Sequence, residues 1–108
     1  MDNMSPVASE EMCAYCFDVL VSHFDNKECP EYPLQISNCP MFVTLNSIVS
    51  TNQKSLRGCI GTLSPRPLYE MSYFVMSSAF RDRRFLPLVC DELSSLEICV
   101  SLLVNYED

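Results

Sequence analysis

One hexapeptide, Leu56–Gly61 with the sequence LRGCIG, holds a thiol, a fixed positive charge and both glycines of the chain. Cys59 could act as a nucleophile, because a thiol with a lowered pKa is present as thiolate at neutral pH, and a thiolate attacks electrophilic carbon readily. Arg57 could make a bidentate contact to a phosphate or a carboxylate. Average usage predicts about seven or eight glycines in 108 residues, so two glycines are expected only where a Cβ does not fit. The hexapeptide is therefore the predicted site.

The first interpretation is a binding or regulatory module that holds a small anion at this segment. Gly58 and Gly61 would let backbone N–H groups approach the ligand, while Arg57 and Thr62 would contact it directly. A helix predicted to begin at 64–65 would present its positive end nearby. The structural alternative is that both glycines allow a bulge and tight packing on an inner strand.

The second interpretation is an enzyme that uses Cys59 as its nucleophile. A flanking arginine and a nearby helix N-terminus could lower the pKa of the thiol. The weak point is the base, because the one histidine, His23, lies in a predicted helix with no motif around it. Asp82 and Glu70 could act as acid–base groups, but no paired-carboxylate spacing marks them. A buried strand cysteine is the structural alternative for Cys59.

The net charge of −7 is unevenly distributed along the chain, because residues 50–90 carry +4 and the remainder carries −11. Basic residues gathered around the hexapeptide favour a local anion site, whereas a solvated basic face is the alternative. Nucleic-acid binding ranks third. A basic cluster with interleaved aromatic residues could stack bases, but the overall acidity opposes it. That cluster comprises Phe80, Arg81, Arg83, Arg84 and Phe85.

Seven cysteines are an odd number, and the acidic, polar start of the chain does not resemble a secretory signal. Free thiols in a reducing compartment are therefore expected, and the predicted location is the cytoplasm and/or the nucleus. No apolar run reaches the roughly 18 residues that span a bilayer, so no membrane partner is predicted. No cofactor and no metal are predicted. The alternative considered is zinc held by Cys13, Cys16, Cys29 and Cys39.

The hydrophobic pattern predicts one α+β domain in which helices pack on a sheet. The predicted order is a disordered tail over 1–7, a helix over 8–24 capped by Ser5 or Ser9, a loop over 25–40, and a hairpin of strands over 41–50 and 55–63. A helix over 64–81 follows, burying Leu68, Met71, Val75 and Ala79. A helical turn at 91–93 and a strand over 96–104 complete the pattern. A sheet that stops there leaves an edge exposed, which suggests a partial domain.

The hexapeptide, extended to LRGCIGT, resembles the signature of the AMMECR family, named for the Alport syndrome, midface hypoplasia and elliptocytosis chromosomal region. The resemblance to the animal branch of that family extends to MCAYCFDVL at 12–20, FVTL at 42–45, SSAFRDRRFLPL at 77–88, DELSSL at 91–96 and VSLLVNYED at 100–108. It implies an α+β fold with two related halves, of which residues 8–108 are the N-terminal part. It implies no reaction. The expected partner is a small anionic ligand or another protein.

Overall fold

The computed structural model describes residues 6–7, 10–34 and 37–103. Four antiparallel strands form one sheet in the order β1-β4-β2-β3, and two α-helices pack on it. The elements are β1 (Pro6–Val7), α1 (Glu10–Phe24), β2 (Asn38–Ser50), β3 (Gln53–Pro67), α2 (Met71–Phe80) and β4 (Leu96–Leu103), with 3₁₀ turns at Leu68–Glu70 and Cys90–Ser95. The α+β class, the hairpin and the turn around residue 92 are confirmed.

The core lies between the sheet and the two helices. Along β4 every second residue is buried, because successive side chains of a strand point to opposite faces. The same alternation buries Val43 and Leu45 on β2, while Thr44 between them is half-exposed. The helices contribute buried residues at helical spacing, which are Tyr15, Cys16, Val19 and Leu20 from α1 and Met71, Phe74, Val75 and Ala79 from α2. Leu68, Met71, Val75 and Ala79 are buried as predicted.

The predicted helix start at 64–65 is wrong. β3 continues to Pro67, and α2 begins only at Met71, after one 3₁₀ turn. Pairing passes from Cys39↔Arg66 to Met41↔Thr62, so three residues of β3 stand opposite one residue of β2. Pro65 lies inside this bulge on an edge strand, where a residue without an N–H is tolerated. The Ser-Pro pair that resembles a helix cap therefore marks a strand irregularity.

The beginning of the chain also differs from the prediction. Pro6 and Val7, placed in the disordered tail over 1–7, pair with Leu103 and Leu102 of β4 instead. The rest of that tail, the helix caps proposed at Ser5 and Ser9 and the end of the last predicted strand lie outside the described residues. Two residues of β1 thus cover part of the β4 edge.

α2 lies unusually close to β3. Neither glycine has a positive φ, so backbone permissiveness is not the reason for their presence. A Cβ on Gly58 would overlap the carbonyl oxygen of Ser78, in the last turn of α2. A Cβ on Gly61 would overlap Met41 O and the ring of Phe42. Both glycines therefore serve the close approach of protein atoms, which is the packing alternative.

We expect Gly58→Ala to lower the free energy of unfolding by about 1–3 kcal/mol, because the added methyl group must push a helix backbone away from the strand. Urea unfolding followed by circular dichroism measures the change. Ser55→Ala, at an exposed position of the same strand, is the matched control. Equal stability of the Gly58 variant and the control would contradict this role for Gly58.

Candidate functional site

The backbone N–H groups of the hexapeptide are used within the fold. The Cys59 N–H donates to Asp82 Oδ2 at 3.0 Å, and the Ile60 N–H donates to Ser78 Oγ at 3.0 Å. The Ser78 hydroxyl lies 2.8 Å from both Val43 O and Phe74 O, either of which can accept its proton. These two donors, which the sequence suggested for a ligand, thus bind a side chain of α2 and a side chain just after it.

Arg57 is placed by a second bulge in β3. Leu45 pairs with Gly58 while Asn46 pairs with Leu56, which leaves Arg57 as the extra residue. Bulges commonly re-aim a side chain, and here the guanidinium meets Glu92 of the Cys90–Ser95 turn. Nε and Nη2 donate to the two carboxylate oxygens at 2.6 and 3.0 Å. The Arg57 side chain is 13% exposed, and its Nη1 is buried without a hydrogen-bond partner in the described residues.

The helix end near the hexapeptide has the opposite polarity to the one predicted. Ser78, which touches Gly58, lies in the last turn of α2, whereas the N-terminus of α2 is at Met71. A helix C-terminus carries partial negative charge, which disfavours a thiolate or a bound anion beside it. The prediction that a positive helix end lies beside the motif is therefore wrong.

Cys59 lies on the sheet face opposite the helices, half-buried, with its Sγ 3.2 Å from Thr44 Oγ1. In the described part of the chain no histidine or carboxylate side chain contacts this sulfur. His23 is exposed on α1, where its ring packs against Phe24 and Phe80. Thr62 Oγ1 accepts the Ser64 N–H at 3.0 Å. The candidate nucleophile and the one histidine are thus not brought together.

Asp82 is the most heavily bonded carboxylate of this region. Its side chain is 6% exposed and accepts the N–H groups of Cys59 and Arg84 together with the Nε and Nη2 hydrogens of Arg84, over 2.7–3.1 Å. Hydrogen bonds from the Arg84 guanidinium hold the pKa of Asp82 well below its usual range. Asp82 is therefore a fixed anion that anchors strand and loop, and it is poorly suited to be a general acid or base at neutral pH.

The basic residues of 50–90 do not converge on one point. Four of the six pair with separate carboxylates, and the Arg66 side chain is far more exposed than that of Arg57. Arg81 and Arg83 contact no carboxylate in the described residues. Phe80 packs against the core, and Arg84 lies over Phe85. The pairs are Lys54–Glu97, Arg57–Glu92, Arg66–Glu70 and Arg84–Asp82.

The seven cysteines are free thiols in different surroundings. Burial raises the pKa of Cys16 to about 12, and burial also raises the pKa of Cys39 and of Cys99. Over residues 6–7, 10–34 and 37–103, no three His, Cys, Asp or Glu side chains are placed to hold a metal ion. The set Cys13, Cys16, Cys29 and Cys39 is thus not gathered into a zinc site. No helix in the same ranges is long and apolar enough to cross a membrane.

A family model described as AMMECR1 matches residues 13–108. The chain belongs to the AMMECR1 family. It is 48% identical over 102 residues to an uncharacterised protein of Arabidopsis thaliana, a match that covers 94% of this chain and 48% of that protein. It is 37% identical over 102 residues to an uncharacterised protein of Schizosaccharomyces pombe, with 91% and 52% covered. A protein of Saccharolobus islandicus is 44% identical over 69 residues, with 62% and 30% covered.

This AMMECR1 chain spans about half the length of the plant and yeast relatives that it matches. Their names record no activity, so the family membership adds no reaction to the site. The sequence reasoning missed two polar residues that hold the hexapeptide, Ser78 and Glu92. It named Asp82 and Arg84, but not as residues that stabilise this part of the fold. The pair Asp82 and Arg84 could have been found from the sequence, because these opposite charges stand two residues apart in a strongly charged segment.

The depressed pKa of Asp82 predicts how the AMMECR1 domain responds to acid. A carboxylate with a folded pKa below its unfolded value of about 3.9 stabilises the fold above that value, and the stabilisation is lost as pH falls toward the folded pKa. We expect Asp82→Asn to be less stable than the parent near pH 7. The difference in free energy of unfolding between the parent and this variant should be constant down to about pH 4 and should narrow below it.

Urea unfolding at a series of pH values measures this difference. Asp18→Asn, at an exposed position of α1, controls for the change in net charge. The hydrogen bonding described for Asp82 would be contradicted if the difference in free energy of unfolding between parent and Asp82→Asn stayed constant from neutral pH into strong acid.

Proposed function

We propose that this domain is a binding or regulatory module that acts without covalent chemistry. The observation that carries the proposal is that Asp82, the carboxylate nearest to Cys59, is fully engaged in hydrogen bonds within the fold. The Cys59 N–H donates to Asp82, and Asp82 is further held by Arg84. Catalysis at a thiol needs a group free to accept and return a proton, whereas binding needs only a rigid surface.

A small-anion site at the hexapeptide belongs to this proposal and centres on Arg57. Nη1 of Arg57 has no partner, but Nε and Nη2 are occupied by Glu92. A phosphate or carboxylate would therefore bind by displacing Glu92, with Gly58, Cys59, Gly61 and Thr62 forming the strand beneath it. The pKa of Glu92 is lowered chiefly by its hydrogen bonds from Arg57, so this displacement works against an established ion pair.

The alternative function is an enzyme with Cys59 as nucleophile on a small-molecule substrate. It requires a proton acceptor from outside the described residues. The half-length match to the relatives leaves room for such a group elsewhere in a longer AMMECR1 protein. We further propose that the chain is the N-terminal part of an animal-type, two-repeat domain. That assignment follows the motif resemblance.

The proposed location is the cytoplasm and/or the nucleus. It is supported by seven thiols with no disulfide partner, which suit a reducing compartment. Nucleic acid and membranes are not proposed as partners. The charge of −7 opposes the first, and no apolar run of the sequence reaches the roughly 18 residues that span a bilayer.

Alkylation of the native protein by iodoacetamide separates the two functions. We expect Cys29 and Cys90 to react first, because both are exposed, then half-buried Cys59, and finally Cys16, whose pKa burial raises to about 12. Mass spectrometry of the labelled peptides gives the order. Labelling of Cys59 ahead of Cys29 and Cys90, with an onset at lower pH, would overturn the binding proposal in favour of the enzyme.

A further inference from the structure

The first observation is a groove between α1, α2 and the loop that follows α1. It consists of two adjoining compartments of about 300 and 500 Å³, which share Cys29 and Ser72 in their walls. Their volumes lie in the range of small-molecule sites. We name the smaller one the basic compartment and the larger one the tyrosine compartment.

Two permanent cations and a histidine line the basic compartment, which are Lys27, Arg81 and His23. No carboxylate lines it. Neither Lys27 nor Arg81 contacts a carboxylate among the residues that the structure describes, in contrast to Arg57, Arg66 and Arg84. The nearest acidic residues in sequence, Asp25 and Glu28, are not in its wall. A compartment that groups unpaired cations in a protein of charge −7 favours an anion.

Local backbone structure places both cationic residues at helix ends. α1 ends in a Schellman motif, in which Asn26 has φ 59° and the Lys27 N–H bonds back to Ser22 O at 2.8 Å. This turn places Lys27 directly after the C-terminal end of α1. Arg81 is the C-cap of α2, where its guanidinium lies 5.8 Å from the centre of the Tyr73 ring. The Arg81 Nη1 is 3.4 Å from Ser77 Oγ.

The tyrosine compartment is lined by three aromatic rings, those of Tyr15, Tyr32 and Tyr69. Tyr15 and Tyr32 pack edge to face at 5.3 Å, and the Tyr15 hydroxyl donates to Pro30 O at 3.1 Å. The Tyr32 hydroxyl is buried and has no hydrogen-bond partner in the described residues. A buried hydroxyl without a partner is costly, and a polar atom of a ligand would bond it only after the side chains that cover this oxygen move aside. Glu31 is the one carboxylate in this wall.

We propose that this groove binds a small aromatic phosphate or carboxylate, with the anionic group between Lys27 and Arg81 and the ring among the tyrosines. The inference rests on the proposed function as a binding module, but it locates the ligand away from the hexapeptide. The ring stacks or packs edge to face on aromatic side chains, and the anion accepts charge-assisted hydrogen bonds. Cys29, at the junction of the two compartments, becomes covered when the ligand is present.

Protection of Cys29 from iodoacetamide tests the groove, with Cys90 as the internal control because both thiols are exposed and only Cys29 lines the groove. The probe is phenyl phosphate, with inorganic phosphate and phenol as its two halves. At about ten times the dissociation constant, phenyl phosphate should slow the labelling of Cys29 roughly tenfold and leave Cys90 unchanged. Inorganic phosphate and phenol should each protect Cys29 less than phenyl phosphate does at the same concentration.

The variant Lys27→Ala/Arg81→Ala should lose this protection, whereas Arg83→Ala, which removes an exposed cation outside the groove, should keep it. Circular dichroism checks that each variant is folded, and the thermal shift by phenyl phosphate gives a second readout. Equal slowing of Cys29 and Cys90, or full protection in the double variant, would overturn the proposal. Equal protection by inorganic phosphate would overturn its aromatic part.

Failure of the groove and failure of the binding function give different results. If phenyl phosphate leaves Cys29 unprotected while Cys59 still reacts slowly, the groove is wrong and the binding function stands. If Cys59 is the fastest thiol, the binding function is wrong whatever happens at Cys29. Loss of the thermal shift by phenyl phosphate in Arg57→Ala, with retention of that shift in the double variant and no protection of Cys29, would place the anion at the hexapeptide instead.

Discussion

The arrangement around the hexapeptide depends on one close approach, that of the last turn of α2 to β3 at Gly58. Because Ser78 O occupies the space of a Cβ on that residue, the helix end lies directly on the strand. The same approach brings Ser78 Oγ within 3.0 Å of the Ile60 N–H, and it allows Asp82, just beyond the helix, to accept the Cys59 N–H. The hexapeptide, whose composition resembles that of a ligand-binding loop, therefore connects α2 to the sheet.

The contact between α2 and β3 has an electrostatic consequence for chemistry at Cys59. The helix end that meets the strand is the negative one, and the nearest buried charge is the carboxylate of Asp82. Both disfavour additional negative charge at Cys59. The positive charge of Arg84 is neutralised by Asp82, and that of Arg57 by Glu92. The ionic groups here therefore hold strand, helix and turn together, and their removal should be felt as lost stability.

Periodicity was enough to predict α1, the hairpin, the body of α2, β4 and much of the core, because burial at Met71, Val75 and Ala79 repeats with the helix and burial along β4 repeats with the strand. The start of α2 could not be predicted in this way. Ser64–Pro65 satisfies the local rules for a helix cap and, equally, those for a bulge on an edge strand, and pairing with β2 decides between them. For the same reason a sequence window cannot show that Arg57 is an extra bulge residue or that Ser78 O stands over Gly58.

The groove was invisible in the sequence because its residues come from separate segments that carry no shared motif. Its charge nevertheless has a simple origin. Lys27 follows the C-terminal end of α1, and Arg81 caps the C-terminal end of α2. Helix C-termini favour cations, and two helix ends that pack together bring two such cations to one cavity. Each helix C-terminus carries roughly half a negative charge against the full positive charge of its cation, so the cavity retains a net positive charge that an anionic ligand can use.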